Sequence, residues 1–524
     1  MLSTSTNSSK PTSEASTDFE AAASKRHLRG SSLLLAGRFI SLGLSLLANI
    51  LLVRLLAKSD YGALSYALAL GSAGATLAAL GLDKTIARFV PIYHEHRDYG
   101  RMFGTVVLAF ASVFIVGFGM AITVWTLHSF IAGSMVRDPL ASSLLMILVL
   151  LSPLEALDYL LAKLLAAFSR PRAIFFRKHL VAPGLKLCVV LLFVPLNFGL
   201  HALAVAYLAA SLLGTLLYVW MLIGVCREQN LWPQSWSLLR FPVRELFGFS
   251  LPLLSSDLVY VLRSSMAIFL LGYLHSTASV AEFRAVLPIA RLNHVVFESF
   301  ILLFLPTASR LFARGDFGAV SSMYWRTASW VAVLTFPCFA VTFVLAKPLT
   351  VLLFGSRYAE SAAILSILAL GHYANAAIGF NGVILRVFGK VTWIICVDVV
   401  TMLLAVVLAG LLIPSYGALG AAWAVSLTHI ANNILAQFAL SRLAHMEALP
   451  MRYLRTYLAI VPTTLALLLL QWTLQPPLYA GLALAAIGSA VVVWINRDVF
   501  DAAEVFPELN RIPLWRRLCS APTA

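Results

Sequence analysis

Charged residues are scarce in this sequence. They make up 12% of the 524 residues, whereas a typical soluble domain contains roughly 25%. Acidic residues are the scarcer sign, because 23 Asp and Glu stand against 38 Lys and Arg. Hydrophobic residues account for 60%, which is more apolar surface than a soluble core could bury. The composition therefore excludes an ordinary soluble domain and indicates a membrane protein.

Motifs that carry catalysis or bind metals are also missing. The five cysteines lack C-x-x-C spacing, so the sequence predicts neither a zinc site nor a disulfide framework. It contains no G-x-x-x-x-G-K-[ST] loop for ATP phosphates, no nucleophile elbow and no metal-spaced histidine cluster. These absences argue against an enzyme, and no cofactor or metal is expected. A polytopic glycosyltransferase or ligase is the less favoured alternative.

Long apolar runs, by contrast, are abundant. Each has about twenty residues, the length needed to cross a hydrocarbon core of ~30 Å. The loops between them are too short for an external catalytic domain or a nucleotide-binding fold. We predict fourteen spans: 31–56, 61–82, 103–127, 141–162, 179–198, 202–225, 249–274, 281–308, 327–346, 362–385, 391–413, 418–440, 456–475 and 478–496.

Basic residues are concentrated in alternate connections between the spans. The N-terminal tail, the even-numbered loops and the C-terminal tail hold 28 of the 38 Lys and Arg residues. This positive-inside bias predicts that both termini lie in the cytoplasm. Membrane orientation and contact with anionic lipid headgroups explain the net charge of +15, so no nucleic-acid partner is expected. The opposite loops hold only Lys58, Arg137, Lys347 and Arg357.

Two segments of the chain repeat at an offset of 218 residues. LLAKSDYGALSYALAL from Leu55 matches YLHSTASVAEFRAVLP from Tyr273, and FGLHALAVAYL from Phe198 matches YGALGAAWAVS from Tyr416. Six predicted spans separate the copies, and an even number preserves orientation, as in parallel repeats. We therefore predict an all-α polytopic membrane protein in which two parallel six-helix bundles and two C-terminal helices surround a central cleft.

These patterns predict six regions along the chain. The first thirty residues are rich in Ser and Thr and poor in large apolar residues, which is typical of a disordered segment. The regions are a disordered cytoplasmic tail (1–30), an N-terminal six-helix bundle (31–225), a cytoplasmic linker (226–248), a C-terminal six-helix bundle (249–440), two additional helices (441–496) and a cytoplasmic tail (497–524).

Cationic residues also lie inside the predicted spans, where a charge is costly and usually marks a functional site. In the eighth span Arg284, Arg291 and Glu298 recur every seven residues, with His294 on the same helical face. The first span carries a second polar stripe at steps of three or four residues: Arg38, Ser41, Ser45 and Asn49.

The seventh span adds Asp257, Tyr260 and Arg263 to these polar stripes. If the first, seventh and eighth spans line the cleft, its arginines would attract an anionic headgroup such as pyrophosphate and grip it with paired donors. The predicted substrate-binding residues are therefore Arg38, Asn49, Tyr260, Arg263, Arg284, Arg291 and His294.

Acidic residues inside the spans are candidates for ion coupling, because buried carboxylates can carry protons or bind Na⁺ in transporters. These candidates are Glu155, Asp158, Asp257, Glu298 and Asp398.

A purely structural interpretation remains open, in which each intramembrane charge pairs with an opposite one and holds helices together. The candidate pairs are Arg291 with Glu298, Arg263 with Asp257, and Lys163 with Glu155 or Asp158. Interhelical hydrogen bonding is expected for polar faces of the tenth and twelfth spans: His372, Asn375, Asn381, His429, Asn432, Asn433 and Gln437.

The sequence resembles the polysaccharide transporters of the multidrug/oligosaccharidyl-lipid/polysaccharide exporter superfamily over about residues 31–450. The resemblance begins with LLVRLLAKSDYGALSYALALGSAGATLAALGLDKTIARFVPIY (51–93). It continues in five further segments: IFLLGYLHSTASVAEFRAV (268–286), LPTASRLFARGD (305–316), LLFGSRYAESAAILSILALG (352–371), VILRVFGKVTW (383–393) and IPSYGALGAAWA (413–424).

This resemblance implies a flippase of the bacterial cytoplasmic (inner) membrane. Its substrate would be a polyprenyl-pyrophosphate-linked oligosaccharide for O-antigen, capsule or exopolysaccharide, moved by alternating access with H⁺ or Na⁺ as the candidate coupling ion. Membrane lipids, a polysaccharide polymerase and chain-length proteins are the implied partners. Two alternatives within the superfamily are a lipid II flippase and a cation-coupled multidrug exporter, and the arginine stripe argues against the exporter.

Overall fold

The computed structural model describes residue 34 and residues 36–497, except 135, 197, 230, 232–238, 444–445 and 447–449. The predicted tail 1–30, and all of the predicted tail 497–524 except its first residue, lie outside this range, as does part of the predicted linker 226–248. The described residues form helices and no strand. The predicted all-α membrane fold is therefore confirmed.

The helices fall into two groups, before and after the predicted linker. The first group comprises α1 (Ala36–Leu55), α2 (Lys58–Ala79), α3 (Leu82–Glu95), α4 (Tyr99–Thr126), α5 (His128–Ser134), α6 (Pro139–Leu148), α7 (Leu151–Ala167), α8 (Pro171–Ile174), a π-helix (Phe175–Val181), α9 (Ala182–Phe193) and α10 (Leu200–Glu228).

The second group contains the remaining helices and two short 3₁₀ segments. It comprises α11 (Val243–Leu274), α12 (Thr277–Ala290), a 3₁₀ turn (Arg291–His294), α13 (Val295–Ala313), α14 (Phe317–Val344), α15 (Ala346–Phe354), a 3₁₀ turn (Ser356–Tyr358), α16 (Ser361–Ile378), α17 (Phe380–Val387), α18 (Val391–Leu443), α19 (Met451–Leu474) and α20 (Leu478–Ile495).

The number of spans differs from the predicted fourteen. Within the described ranges, ten helices are long and apolar enough to cross a membrane, or up to twelve if each of two bent helix pairs is one span. The 53-residue α18 covers both the eleventh and twelfth predicted spans, with one non-helical residue, Gly417, between them. The predicted fifth span corresponds to the π-helix and the short α9. The count of fourteen therefore stays a prediction.

The sequence repeat at an offset of 218 residues has a structural counterpart. Helices α4 and α14 each contain 28 residues and begin 218 positions apart. Asp98 and Asp316 cap them equivalently, each accepting a hydrogen bond from the backbone N–H three residues later, at 3.0 and 2.9 Å. Gly199 and Gly417, also 218 apart, both have positive φ, of 82° and 52°. The division into two six-helix bundles stays a prediction.

Close contacts join helices from the two halves of the chain. Helix α2 packs against α6 and α7 from its own half and against α11 and α12 from the other. A side chain at Gly62 of α2 would collide with the backbone carbonyl of Thr277, and one at Gly272 of α11 would collide with the ring of Tyr66. Glycine at these two positions therefore allows the halves to approach closely beside the site described next.

Candidate substrate-binding cavity

The structure contains a cavity of about 840 Å³ between α1, the π-helix, α12 and the 3₁₀ turn that follows α12. Its lining joins both halves of the chain. The lining residues are Leu34, Arg38, Ser41, Leu42, Ser45, Leu46, Asn49, Lys178, His179, Arg284, Leu287, Pro288, Arg291 and Leu292.

Helix α1 contributes the whole predicted polar stripe to this lining, because residues at steps of three or four share one helical face. Asn49, at the deep end of the stripe, connects three helices. Its amide nitrogen donates to the carbonyl of Ala285 on α12 at 3.2 Å, and its oxygen accepts from the Tyr61 hydroxyl of α2 at 2.7 Å. Asn49 is thus held in one orientation at the point where the halves meet.

Arg284 and Arg291 reach the cavity from the second half of the chain. A short 3₁₀ turn at Arg291–His294 joins α12 to α13, and the helix runs on through it from Thr277 to Ile301. His294 and Glu298 are not among the lining residues, although Glu298 pairs with Arg38, which is. The helical face predicted to carry all four residues stays a prediction.

The charge of this lining is one-sided. Of its fourteen residues, five are basic or histidine and none is acidic. Arg284 and Arg291 form no ion pair with any carboxylate in the described part of the chain. Glu298, the partner proposed for Arg291 in the structural interpretation, instead pairs with Arg38 of α1. Arg284 and Arg291 thus present uncompensated positive charge to the cavity.

The seventh predicted span contributes no residue to this lining, so the predicted substrate-binding roles of Tyr260 and Arg263 stay predictions. Tyr260 is exposed on α11, and Arg263 borders a separate, much smaller cavity of about 20 Å³. Arg263 donates to the Asp398 carboxylate of α18 at 2.8 Å, rather than pairing with Asp257. Asp257 itself pairs with Lys84 of α3. The tight packing of α11 on α18 explains why Arg263 finds its partner there.

The predicted pairing of Lys163 with Asp158 is also wrong. The Asp158 carboxylate pairs with Arg177 of the π-helix and accepts a hydrogen bond from the Thr215 hydroxyl of α10 at 3.0 Å. Among the described residues, Glu155 forms no ion pair, with Lys163 or any other cation. Of the two acids on α7, Asp158 therefore has a structural partner and Glu155 does not.

Asn375, Asn381 and Asn433 form expected interhelical hydrogen bonds, whereas Nε2 of His372 has no hydrogen-bond partner in the described part of the chain. His294 contacts Glu298 at 3.3 Å and Asn375 of α16 at 3.0 Å. Asn433 of α18 donates to Asn375 at 3.0 Å, and Asn381 of α17 donates to the Asn433 backbone at 3.0 Å. His294, a predicted substrate-binding residue, thus belongs to this network beside the cavity.

Sequence reasoning missed Lys178 and His179, which line the cavity from the π-helix. In the sequence they follow Arg177 at the predicted cytoplasmic end of a span. Such a basic run is typical of the positive-inside bias and gave no reason to place these side chains inside the protein. A π-helix rotates the side chains relative to α-helical spacing, so helical periodicity could not have placed them either.

Comparison with known proteins identifies the family. The sequence model of the family described as polysaccharide biosynthesis protein matches residues 51–363, more than half of the chain. The chain belongs to this family. The match covers α2 to α15, including the cavity-lining residues of the π-helix and α12 but not those of α1. No curated protein matches the chain by sequence.

Solved structures with the same fold are transporters of one superfamily. The lipid II flippase MurJ, in an inward closed conformation, has a TM-score of 0.71 with 14% identity, covering 90% of this chain and 99% of MurJ. An inward-facing multidrug resistance MATE transporter of the MOP superfamily has a TM-score of 0.63 with 15% identity, covering 77% and 96%. A MOP superfamily transporter from Pyrococcus furiosus gives 0.57, with 16% identity and coverage of 80% and 95%. At these identities the likeness shows the transporter fold.

Proposed function

We propose that this protein is a flippase that moves a polyprenyl-pyrophosphate-linked oligosaccharide to the outer leaflet of the bacterial inner membrane. The observation that carries the proposal is the cavity, whose lining residues in the described part of the chain include a lysine, a histidine and two arginines without an ion pair there, and no acid. A cavity of about 840 Å³ admits a phosphorylated headgroup with its first sugar, while the lipid chain stays in the membrane. The two halves would rock around this fixed site.

The residue types favour pyrophosphate as the group recognised. Arginine presents planar, permanently charged donors that match phosphate oxygens in pairs. Arg284 and Arg291 are seven positions apart, so their backbones lie roughly 10 Å apart along an ideal helix. Two guanidinium groups at this spacing can contact the two phosphates of one pyrophosphate, or the same headgroup at two successive depths in the cavity. Their charge is available to a ligand because no described carboxylate neutralises it.

The two superfamily alternatives fit this cavity unequally. An exporter of organic cations would need acidic or apolar walls, whereas this lining repels cations. A lipid II flippase is the second candidate, favoured by the similarity to MurJ over 90% of this chain. The family description, polysaccharide biosynthesis protein, supports a polysaccharide precursor as the first candidate substrate.

A reconstitution experiment tests the proposal. Proteoliposomes would contain a polyprenyl-pyrophosphate oligosaccharide with a fluorophore on its sugar, and an impermeant reductant would report its transfer between leaflets. Arg284→Ala with Arg291→Ala should slow transfer at least about tenfold, since one charge-assisted hydrogen bond contributes roughly 1.5–3 kcal/mol. Arg314→Ala, at the exposed end of α13 outside the lining, is the matched control and should transfer normally.

Substrate competition separates the alternatives. Unlabelled lipid II that competes about tenfold better than the oligosaccharide lipid would identify lipid II as the substrate. Uptake of a fluorescent organic cation, without any transfer of the oligosaccharide lipid, would instead refute the flippase proposal. Normal transfer by the double arginine variant would show that the cavity is not the site.

The proposed orientation, with both termini in the cytoplasm, has its own test. After replacement of the five cysteines, Asp316→Cys should be shielded from an impermeant thiol reagent added outside the cell, whereas Ser134→Cys should be labelled. Asp316 caps α14 at the predicted cytoplasmic side; the Ser134 side chain lies outside the described structure, so its position follows from the sequence. Labelling of the first and protection of the second would reverse the orientation.

A further inference from the structure

The π-helix at Phe175–Val181 forms one wall of the cavity, and the proposed function uses its Lys178 and His179 only for their charge. π-Helical turns are rare and occur frequently at functional sites. The chain supplies a local reason for this one, because Pro183 has no N–H and cannot bond back to the carbonyl four residues earlier, on His179. The wider turn places Lys178 and His179 on the cavity side.

Arg177 fixes the opposite side of the π-helix to the protein interior. Its side chain is only 4% exposed, and its Nε donates to the carbonyl of Gly214 on α10 at 2.7 Å. A terminal nitrogen pairs with Asp158 of α7, and the guanidinium lies 5.1 Å from the ring centre of Tyr218. One buried cation thus anchors the π-helix to two neighbouring helices.

Two glycines make room for this arrangement. A side chain at Gly214 would collide with the Arg177 guanidinium, whose Nε lies 2.7 Å from the position of the missing Cβ. A side chain at Gly37 of α1 would lie 2.6 Å from the ring of Phe175 and 2.9 Å from Cβ of His179. Helix α1 therefore packs directly on the π-helix, while Asn49 joins α1 to α12. The π-helix and α12 thus flank α1 as two walls of one cavity.

We propose that Lys178 and His179 form the second half of a pyrophosphate site, facing the half formed by Arg284 and Arg291, with Arg177 as their positioning residue. The inference rests on the proposed function and deepens it. A pyrophosphate has two phosphates and can engage both walls, whereas a monophosphate can engage only one. The π-helix wall therefore discriminates pyrophosphate lipids from monophosphate lipids, and the arginine wall binds both.

Lipid binding to the full-length protein in nanodiscs tests the assignment of Lys178. The probes are a polyprenyl pyrophosphate, the matching polyprenyl monophosphate and inorganic pyrophosphate. Lys178→Ala should weaken binding of the pyrophosphate lipid at least about tenfold, the loss expected for one charge-assisted hydrogen bond, and leave monophosphate binding within about twofold. Arg172→Ala, which removes an exposed charge five residues before Arg177 and outside the lining, is the control and should change neither.

Each outcome has a distinct meaning. If the unaltered protein binds no pyrophosphate lipid, the proposed function fails and this inference fails with it. If the lipid binds and Lys178→Ala weakens both lipids equally or neither, only the inference is wrong. If inorganic pyrophosphate competes as well as the lipid, the ligand is the free anion and the lipid part of the inference is wrong.

The positioning role of Arg177 needs a readout that loss of stability would not mimic. That readout is the preference of the protein for the pyrophosphate lipid over the monophosphate lipid, measured as the ratio of the two affinities in nanodiscs. Gly214→Ala should abolish that preference by displacing Arg177, while Gly224→Ala on the same helix, where a Cβ meets nothing within 4 Å, should preserve it. Both substitutions favour helix formation equally, so only the contact with Arg177 differs.

A second variant covers the case in which Gly214→Ala fails to fold. Arg177→Met with Asp158→Asn removes both charges of the buried pair, so neither is left uncompensated. It should fold, lose the preference for the pyrophosphate lipid, and keep binding of the monophosphate lipid. A retained preference for the pyrophosphate lipid would refute the positioning role of Arg177.

Discussion

Replacement of Arg291 by alanine should impair transport without impairing the fold. Arg291 lies on the cavity surface in the 3₁₀ turn and forms no ion pair with any described carboxylate. Removing it therefore leaves no partner charge stranded. Surface substitutions of this kind usually change the free energy of unfolding by less than about 0.5 kcal/mol.

The effect on substrate handling should be larger. One charge-assisted hydrogen bond to a phosphate contributes roughly 1.5–3 kcal/mol, and about 1.4 kcal/mol corresponds to a tenfold change in affinity. Arg291→Ala should therefore weaken binding of the pyrophosphate lipid by at least about tenfold. Arg291→Lys keeps the charge but not the planar pair of donors, so its binding should be intermediate.

The assay combines transfer in proteoliposomes with the amount of folded protein in the membrane. A double-mutant cycle then separates a ligand role from helix pairing. Glu298→Ala should not rescue Arg291→Ala, because Glu298 pairs with Arg38 and His294 instead. The control cycle, Arg38→Ala with Glu298→Ala, should show a coupling energy of about 0.5–3 kcal/mol in stability. If Arg291→Ala lowers abundance and Glu298→Ala restores both abundance and transfer, the ligand role is wrong.

Three other tests address the intramembrane acids. Asp158→Ala should lower stability by about 3–5 kcal/mol because it strands the buried Arg177, and Asp158→Ala with Arg177→Ala should recover much of that loss in thermal unfolding. Glu155→Gln should leave the protein folded and abolish gradient-driven transfer if Glu155 couples transport to H⁺ or Na⁺; unchanged transfer under a gradient would remove it from the mechanism. Arg263→Ala with Asp398→Ala should keep gradient-driven transfer, since the two neutralise each other in the structure, and its loss would assign coupling to Asp398.

Features set by local periodicity could be predicted from the sequence. The all-helical membrane fold follows from the apolar runs, and the α1 stripe lines the cavity because residues at steps of three or four share a helical face. Arg284 was found in the same way, since it lies within regular helix. The same spacing predicts Arg291, which begins the 3₁₀ turn directly after Ala290 and also lines the cavity.

Features set by packing between distant segments could not be predicted. Arg263 could pair with an acid on its own helix or on another helix. It pairs with Asp398 because α11 packs against α18. The partner of Glu298 was likewise decided by the approach of α1 to α13, 260 positions apart in the sequence. Sequence spacing ranks pairs on one helix above pairs between helices, whereas Arg38, Arg177 and Arg263 each pair with an acid on another helix.

Polar contacts join the two halves of the chain at one end of the cavity. At the end of α1 predicted to face the periplasm, Asn49 joins α1, α2 and α12, and Lys58 of α2 pairs with Glu282 of α12. At the other end the lining continues to Leu34, at the start of the described structure. On the predicted topology, these polar contacts lie at the outer end of the cavity, and Leu34 lies at its cytoplasmic end. A lipid-linked precursor made on the cytoplasmic side would then reach Lys178 and Arg291 before the outer contacts separate. The cationic walls would hold its headgroup while the outer end of the cavity opens and the cytoplasmic end closes.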